Sequence, residues 1–281
     1  MDNKNTKIGF IGQGWIGKNY ADNFELRGFD VLRYSLEPEY VCNKDKIKEC
    51  EIVFIAVPTP THNKEFDDSI VRSSLGNLSD GTIAVIKSTL LPGTTKKIQG
   101  DFTNLKVLIN PEFLSVATAR HDADFPTRNI VGVPVLNEDY KAIAKRIVEI
   151  LPHAPFELVC DSTEAELIKY ARNCIGYARV LMTNIFYDLS IEMGVDYSSI
   201  QKAISADPDN GPAYSSALHK SGRGAGGECF IKDFAAFAKF YQEHTSDLKG
   251  SQMLDMMESK NIELLKQTNK DKDILKNVYG I

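Results

Sequence analysis

One cysteine of the chain lies in a setting that favours covalent chemistry. The segment GRGAGGECFIKDF, from Gly222 to Phe234, places glycines and an alanine before Cys229 and a lysine–aspartate pair, Lys232 and Asp233, just after it. A thiol attacks as its thiolate, and a nearby cation favours that form. Small residues beside the thiol leave room for a substrate. The segment therefore predicts a nucleophilic cysteine.

A glycine-rich turn near the start of the chain indicates a second ligand. Gly12, Gly14 and Gly17 form a G-x-G-x-x-G pattern directly after the apolar run KIGFIG. Such glycines allow a tight turn and let a pyrophosphate approach the N-terminus of the following helix, where free N–H groups favour anions. The pattern predicts a dinucleotide cofactor.

The choice between NAD and NADP is open at this point of the sequence. The acidic residue expected at the end of the second strand, which would bind the adenosine ribose, is replaced by Ser35. Arg33 is either a ligand of a 2′-phosphate or a side chain that points to solvent. NAD is the preferred cofactor, and NADP is not excluded.

The elements that must position these residues follow an alternating pattern. Apolar strand-like runs alternate with helical stretches in the first half, which predicts an N-terminal Rossmann-like, doubly wound parallel sheet of the α/β class. An all-helical domain with a long central helix over 163–193 is predicted to follow. The expected domains are a dinucleotide-binding domain, 1–157, and a helical substrate and dimerisation domain, 158–281. The predicted strands are 7–12, 30–34, 51–57, 82–88, 106–110 and 129–133; the other predicted helices are 141–151, 199–205, 232–243 and 251–266, with 266–276 as a solvated helix end.

Composition and charge narrow the class of protein. The 281 residues are 43% hydrophobic and carry a net charge of −5, so there is no basic footprint for nucleic acid. No apolar run is long enough for a membrane span, and the N-terminus lacks a signal core. Five scattered cysteines and five histidines show neither a disulfide framework nor metal-ligand spacing. We expect a cytoplasmic enzyme without a metal.

Five motifs in order resemble one enzyme family. They are AVPTPT (56–61), KSTLLPGTT (87–95), NPEFLSVATA (110–119), AELIKYARN (165–173) and GGECFIKD (226–233). The set resembles the UDP-glucose/GDP-mannose dehydrogenase family, most closely its UDP-glucose 6-dehydrogenase members. The resemblance implies an NAD-dependent nucleotide-sugar dehydrogenase that oxidises a primary alcohol to a carboxylate, with UDP-glucose converted to UDP-glucuronate. The aldehyde would be captured by the cysteine as a thiohemiacetal and then oxidised to a thioester.

The resemblance also assigns roles to the chemical residues. Cys229 would be the nucleophile, and Lys169 and Asn173, four residues apart on the long helix, would hold the developing oxyanion. Asp233 would orient or deprotonate water, and Thr89 would position that water. Glu112 would be a general acid or base in thioester hydrolysis. The implied substrate-binding residues are Glu112, Phe113, Leu114, Lys169, Asn173 and Gly226; the implied cofactor-binding residues are Gly12, Gly14, Trp15, Ile16, Gly17, Ser35, Val57, Pro58, Thr59, Thr89 and Lys232.

Several features depart from the family pattern. Val116 stands where a second glutamate is expected, and the segment Asp207–Gly211 lacks the arginine of a D-x-R-I-G motif. Typical members are longer, so we expect this chain to lack their C-terminal UDP-binding domain. Two other functions therefore stay open: a two-electron β-hydroxyacid-type dehydrogenase, which needs no cysteine, and a dinucleotide-binding partner protein without catalysis.

The long helix also predicts self-association. Its apolar residues exceed what one helix in a small domain needs to pack its core, and the family forms dimers through this helix. We therefore expect a homodimer. The residues that carry this expectation are Ile175, Val180, Met182, Ile185 and Phe186.

Overall fold

The described part of the chain divides into two compact units. The computed structural model describes residues 6–220 and 222–281. Of the described residues, the first unit comprises those up to Thr59 together with Asp67–Lys169, and the second comprises Pro60–Phe66 together with those from Tyr170 to Ile281. The division near the middle of the chain thus lies at 169/170 and not at the expected 157/158.

The first unit is built on a seven-stranded sheet in the order β2-β1-β3-β6-β7-β8-β9. Its central strands read IVFI, IAVI and KVLI, and they are buried almost throughout because helices cover both faces of such a sheet. The strands are β1 (Lys7–Ile11), β2 (Asp30–Tyr34), β3 (Ile52–Ile55), β6 (Ile83–Ile86), β7 (Lys106–Ile109), β8 (Arg128–Val133) and β9 (Phe156–Asp161). The helices are α1 (Trp15–Leu26), α2 (Ser69–Leu75), α3 (Thr94–Asp101), α4 (Ala119–Asp124) and α5 (Glu138–Ile150).

The sheet differs from the expected one in two respects. The predicted doubly wound sheet is present, but one of its pairings is antiparallel, because β8 pairs antiparallel with β7 through Ile109 and Gly132. The pattern also gave no strand at 156–161, because FELVCD is a half-exposed edge strand without a continuous apolar run. β9 pairs in parallel with β8 along its whole length, so the expected boundary at 157/158 falls inside the sheet.

The second unit is mainly helical. The long helix α6 (Ser162–Glu192) has 31 residues, has no proline in its interior, and belongs to the first unit up to Lys169 and to the second from Tyr170 onward. A small hairpin of β4 (Thr61–His62) and β5 (Glu65–Phe66) also belongs to this unit. The remaining helices are α7 (Tyr197–Ala206), α8 (Glu228–His244), α9 (Leu248–Gln267) and α10 (Lys272–Tyr279).

The end of the chain is not the solvated helix end that its charges indicated. Helix α10 buries Leu275 and Val278 in a cluster with Ile231 and Ala235 of α8 and Leu265 of α9. The apolar residues of α10 lie three apart, so they share one face, while its lysines remain exposed. The tail is thus part of the core of the second unit.

Candidate functional site

The glycine-rich turn of the first unit has the geometry of a dinucleotide cradle. Gly12 has φ of +91°, and a Cβ there would lie 2.2 Å from the carbonyl oxygen of Ala56. A Cβ on Gly17 would lie 1.9 Å from the carbonyl oxygen of Gly12, whereas one on Gly14 would meet nothing within 4 Å. Two glycines therefore close the turn, and the third leaves open space at the N-cap of α1. These features fit a pyrophosphate at the N-terminus of α1.

The neighbouring strand ends carry several of the other expected cofactor residues, whereas Trp15 and Ile16 begin α1 and Lys232 lies in α8 of the second unit. The hydroxyl of Ser88 accepts a hydrogen bond from the backbone N–H of Val57 (3.0 Å) and donates one to its carbonyl (2.7 Å), which joins the loops after β3 and β6. Ser35 follows β2 and accepts from the N–H of Glu37. Pro58 and Trp15 are exposed, Ile16 packs partly against the core, Thr59 is buried and Thr89 is half-buried.

Arg33 has partners that the sequence did not reveal. Its guanidinium lies 2.7 Å from a carboxylate oxygen of Asp22 and 2.7 Å from one of Glu25, and the side chain is 11% exposed. It therefore does not point to solvent. Two carboxylates also neutralise the charge that a 2′-phosphate would need, which supports NAD over NADP.

Glu112 lies in a buried polar cluster at the end of β7. Its Oε2 atom is 3.1 Å from the Nζ of Lys87, and its Oε1 accepts hydrogen bonds from the N–H groups of Phe113 and Leu114. Lys87 also donates to Oδ1 of Asn110 at 2.7 Å. Burial opposes ionisation of Glu112, but Lys87 and the hydrogen bonds outweigh it and lower the pKa of Glu112. Glu112 is therefore an anchored, ionised carboxylate and not a proton donor.

Burial also acts on Lys87 itself. The side chain is 1% exposed, and its Nζ lies 3.8 Å from the centre of the Tyr20 ring. Removal from water lowers the pKa of Lys87, although Glu112 opposes that change. A lysine directly after the buried strand β6 was the sequence signal for this group, and the motif KSTLLPGTT contains it.

Lys169 joins the same part of the first unit. Its Nζ donates to the carbonyl oxygen of Glu112 at 2.6 Å and lies 5.7 Å from the centre of the Phe113 ring. One turn earlier on α6, the carboxylate of Glu166 accepts from the N–H of Gly93 and from both the N–H and the hydroxyl of Thr95. Burial raises the pKa of Glu166 to about 7. Glu166 thus fixes α6 to the start of α3.

The second unit contains a comparable group around Asp233. One carboxylate oxygen of Asp233 accepts from the Nζ of Lys232 and the other from the side-chain amide of Asn173, both at 2.6 Å. Asp233 is 1% exposed. Burial opposes the charge of Lys232, but the carboxylate of Asp233 outweighs it and raises the pKa of Lys232. Lys–carboxylate–amide contacts thus hold α8 to α6 within this unit.

Cys229 differs from the buried thiols of the chain. All five cysteines lie in the described residues as free thiols; Cys229 and Cys42 are exposed. Burial raises the pKa of Cys50 and of Cys160 to about 11 and raises that of Cys174 as well. Cys229 is the second residue of α8, and Asp233 lies one turn further along the same helix. Its exposure and its place in the first turn of a helix suit a nucleophile.

The predicted residues therefore form two groups, each within one unit. Glu112, Phe113 and Lys169 are together in the first unit, and Asn173, Lys232 and Asp233 are together in the second. Sequence reasoning missed Lys87, Asn110 and Glu166, which hold the first group in place. It also missed the contacts of the loop that contains Gly226, where a Cβ would lie 2.3 Å from a carboxylate oxygen of Asp271.

Within the described residues, no helix has the length and apolar content to cross a membrane, and no group of three or more histidine, cysteine or acidic side chains could hold a metal ion.

Comparisons with known proteins identify two matching family models. Residues 33–151 match the NAD binding domain of the UDP-glucose/GDP-mannose dehydrogenase family, and residues 163–262 match the central domain of the same family. A putative UDP-glucose 6-dehydrogenase of Bacillus subtilis is 33% identical over 216 residues, which are 73% of this chain and 49% of that protein. The chain spans between about half and two thirds of the length of the curated relatives it matches.

Solved structures show the same fold. A UDP-glucose dehydrogenase from Pyrobaculum islandicum has a TM-score of 0.77 at 24% identity, and the match covers 92% of this chain and 69% of that one. A 3-hydroxyisobutyrate dehydrogenase from Mycobacterium tuberculosis has a TM-score of 0.69 at 16% identity, with 94% and 95% covered. The fold is thus shared by enzymes with different named substrates.

Proposed function

Because the chain belongs to the UDP-glucose/GDP-mannose dehydrogenase family, we propose that it is an NAD-dependent nucleotide-sugar dehydrogenase that oxidises UDP-glucose to UDP-glucuronate. The observation that carries the proposal is the exposed thiol of Cys229, one helical turn from the buried carboxylate of Asp233. A dehydrogenase that removes only two electrons from an alcohol needs no such thiol.

NAD would be held at the glycine turn of the first unit, by Gly12, Gly14 and Gly17 and by the residues that follow the neighbouring strands. Two NAD molecules, bound in succession, would supply the oxidant, and each would take up one hydride. The crowding at Gly12 and Gly17, and the open space at Gly14, support this placement.

Cys229 would retain the aldehyde formed by the first oxidation. The thiolate adds to the aldehyde carbon, a C–S bond forms, and the oxygen takes up a proton to give a thiohemiacetal. Loss of a hydride from that carbon, with loss of the hydroxyl proton, gives a thioester. Covalent capture keeps the aldehyde bound between the two oxidations.

Lys169 and Asn173 would stabilise the oxygen that becomes negative when the thiolate or water adds to the carbonyl carbon. The two residues are one turn apart on α6 and both side chains donate hydrogen bonds, Lys169 with a full charge. Donors directed at a developing oxyanion are commonly a large source of rate enhancement. In the structure, the carbonyl oxygen of Glu112 accepts the hydrogen bond of Lys169, and the carboxylate of Asp233 accepts that of Asn173. The substrate oxygen would replace them as the acceptor.

Hydrolysis of the thioester needs a base. Water adds to the thioester carbon, its proton passes to a carboxylate, and the C–S bond breaks to release the sugar acid and regenerate the thiolate. We assign the base to Asp233, with Thr89 positioning water. Lys87 would keep the carboxylate of Glu112 in place, and the carbonyl oxygen of Glu112 would position the Lys169 amine.

We also propose a homodimer formed through α6. Ile175, Met182 and Leu189 are exposed and recur every seven residues, as do Phe186 and, one residue past the end of the helix, Met193. Val180 does not contribute, because it is buried in the core of the second unit. Light scattering at micromolar concentration should give twice the chain mass, and Met182→Lys with Phe186→Lys should give the chain mass. A monomeric wild type would overturn this part of the proposal.

The function is tested by following NAD reduction with UDP-glucose and identifying the product. We expect UDP-glucuronate, and we expect Cys229→Ser to stop before the carboxylate, with an aldehyde-level product. A β-hydroxyacid-type dehydrogenase would instead reduce one NAD per substrate and keep full activity in Cys229→Ser. Tight NAD binding without turnover of nucleotide sugars or hydroxy acids would indicate a non-catalytic partner protein.

A further inference from the structure

The loop before Cys229 is held by a neighbouring segment that the proposed mechanism does not use. The loop covers Gly222–Gly227, and Gly224 and Gly227 have φ of +79° and +84°. Side chains from the second half of α9 and from the turn after it contact the backbone of this loop. We call these four residues the C-terminal clamp: Asn261, Thr268, Lys270 and Asp271.

The contacts of the clamp run along most of the loop. The hydroxyl of Thr268 accepts from the N–H of Arg223 at 3.1 Å, and the Nζ of Lys270 donates to the carbonyl of Gly224 at 3.0 Å. Asp271 accepts from the N–H of Gly227 at 2.7 Å. In each case a side chain binds a backbone group.

Asn261 contributes the most buried part of the clamp. It is 1% exposed, its Oδ1 accepts from the N–H of Ala225 at 2.7 Å, and its amide donates to the carbonyl of the same residue at 3.0 Å. A side-chain amide that binds both the N–H and the carbonyl of one residue fixes the orientation of that residue's backbone. The clamp thus contacts four of the loop residues directly.

The turn that carries Lys270 has an unusual backbone. Asn269 and Asp271 have φ of +55° and +54°, a conformation that residues other than glycine seldom adopt. Such a conformation persists where surrounding contacts determine it, and it concentrates at functional sites. Between them, Lys270 is 5% exposed, and a Cβ on Gly226 would lie 2.4 Å from its Cε atom. The loop and the turn therefore fit closely.

We propose that the C-terminal clamp positions the loop Gly222–Gly227 and thereby the thiol of Cys229, so that Lys270 and Thr268 are positioning residues of the reaction. This inference rests on the proposed function for its catalytic consequence. Asp271 binds the N–H of Gly227, the N-cap residue of α8, and Cys229 is the second residue of that helix. A loosened loop would let the first turn of α8 fray and displace the thiol.

Lys270→Met is the main test, with Lys272→Met as its matched control. Lys272 lies two residues further along and is exposed. Hydrogen exchange of the amides of residues 223–229 should become about tenfold faster in Lys270→Met and stay unchanged in Lys272→Met. Lys270→Arg keeps a donor and should restore slow exchange. Thr268→Val is a milder second variant and should speed exchange at the Arg223 amide.

Activity gives the second measurement. In Lys270→Met, kcat with UDP-glucose should fall about 10- to 100-fold, while KM for NAD stays within about twofold, since displacement of a reacting group acts on the chemical step. Equal exchange in Lys270→Met and Lys272→Met would overturn the inference. So would faster exchange with an unchanged kcat. The exchange measurement requires no turnover, so the two failures can be told apart. A wild type that fails to oxidise UDP-glucose refutes the proposed function, while the exchange rates still decide whether the clamp holds the loop.

Discussion

Two clusters of the same composition have different surroundings in this molecule. The first unit joins Lys87 and Asn110 to the carboxylate of Glu112, and the second joins Lys232 and Asn173 to that of Asp233. In the first cluster the amide binds the lysine; in the second it binds the carboxylate.

The surroundings of the two carboxylates explain the difference. The Glu112 carboxylate also accepts hydrogen bonds from two backbone N–H groups, and its partner Lys87 is 1% exposed. The chain itself therefore supplies the hydrogen-bond partners of this carboxylate. Asp233 is buried as well, but it lies one turn from the exposed thiol of Cys229. Burial of a lysine–carboxylate pair therefore does not identify a catalytic group; its neighbours do. We propose that the first cluster supports the fold and that the second takes part in the reaction.

Of the substitutions that test this comparison, Asp233→Asn should have the largest effect, which is on kcat. Loss of the base should lower kcat with UDP-glucose by about 10²- to 10⁴-fold, the usual contribution of general acid–base catalysis. Glu243→Gln, at an exposed position of the same helix, is the control and should keep wild-type kcat. If steady-state kinetics show Asp233→Asn within tenfold of wild type, the second cluster is not the chemical one.

Lys87→Met should act on stability instead. It leaves the carboxylate of Glu112 buried without its cation, and breaking a buried pair in this way costs about 3–5 kcal/mol of the free energy of unfolding. The exposed Lys97 gives the control, Lys97→Met, for which we expect almost no change. Urea unfolding at pH 7 measures both. A loss below about 1 kcal/mol would mean that the first cluster does not support the fold.

The smallest expected effect is the change that Glu112→Gln makes to the pH dependence of the free energy of unfolding. Since the folded protein lowers the pKa of Glu112, the unfolded chain holds more protons between that pKa and the ordinary value of about 4.3. The stabilisation from the Glu112 carboxylate is therefore complete above that value and is lost as the pH falls through the folded pKa. The unfolding free energies of wild type and Glu112→Gln should converge in acid. A constant difference from pH 7 to pH 3 would contradict this origin of the stability.

The local elements of the fold were predictable from the sequence. β-Branched apolar runs predicted six strands, and the 31-residue helix was visible from its lack of proline and its apolar periodicity. The spacing of the glycines predicted the turn, and the structure leaves no room for a side chain at Gly12 or Gly17. Each of these features depends on residues close together in the chain, apart from the contact with Ala56.

The remainder depended on distant contacts that no local pattern contains. Lys270 binds Gly224 across 46 residues, and Lys87 binds Asn110 across 23, so the charged tail and the strand-end lysine gave no sign of their partners. Val180 was expected on the outer face of α6 but belongs to the core cluster that includes Leu181 and Phe234. The chemical residues were assigned from resemblance, and their roles remain predictions.

The most direct test of the central claim is the number of NAD molecules reduced per UDP-glucose consumed. The thiol of Cys229 is useful only if the aldehyde is captured and oxidised again. The account therefore predicts two NADH per sugar, with UDP-glucuronate as the product. One NADH per sugar, with an aldehyde or ketone as the end product, would contradict it.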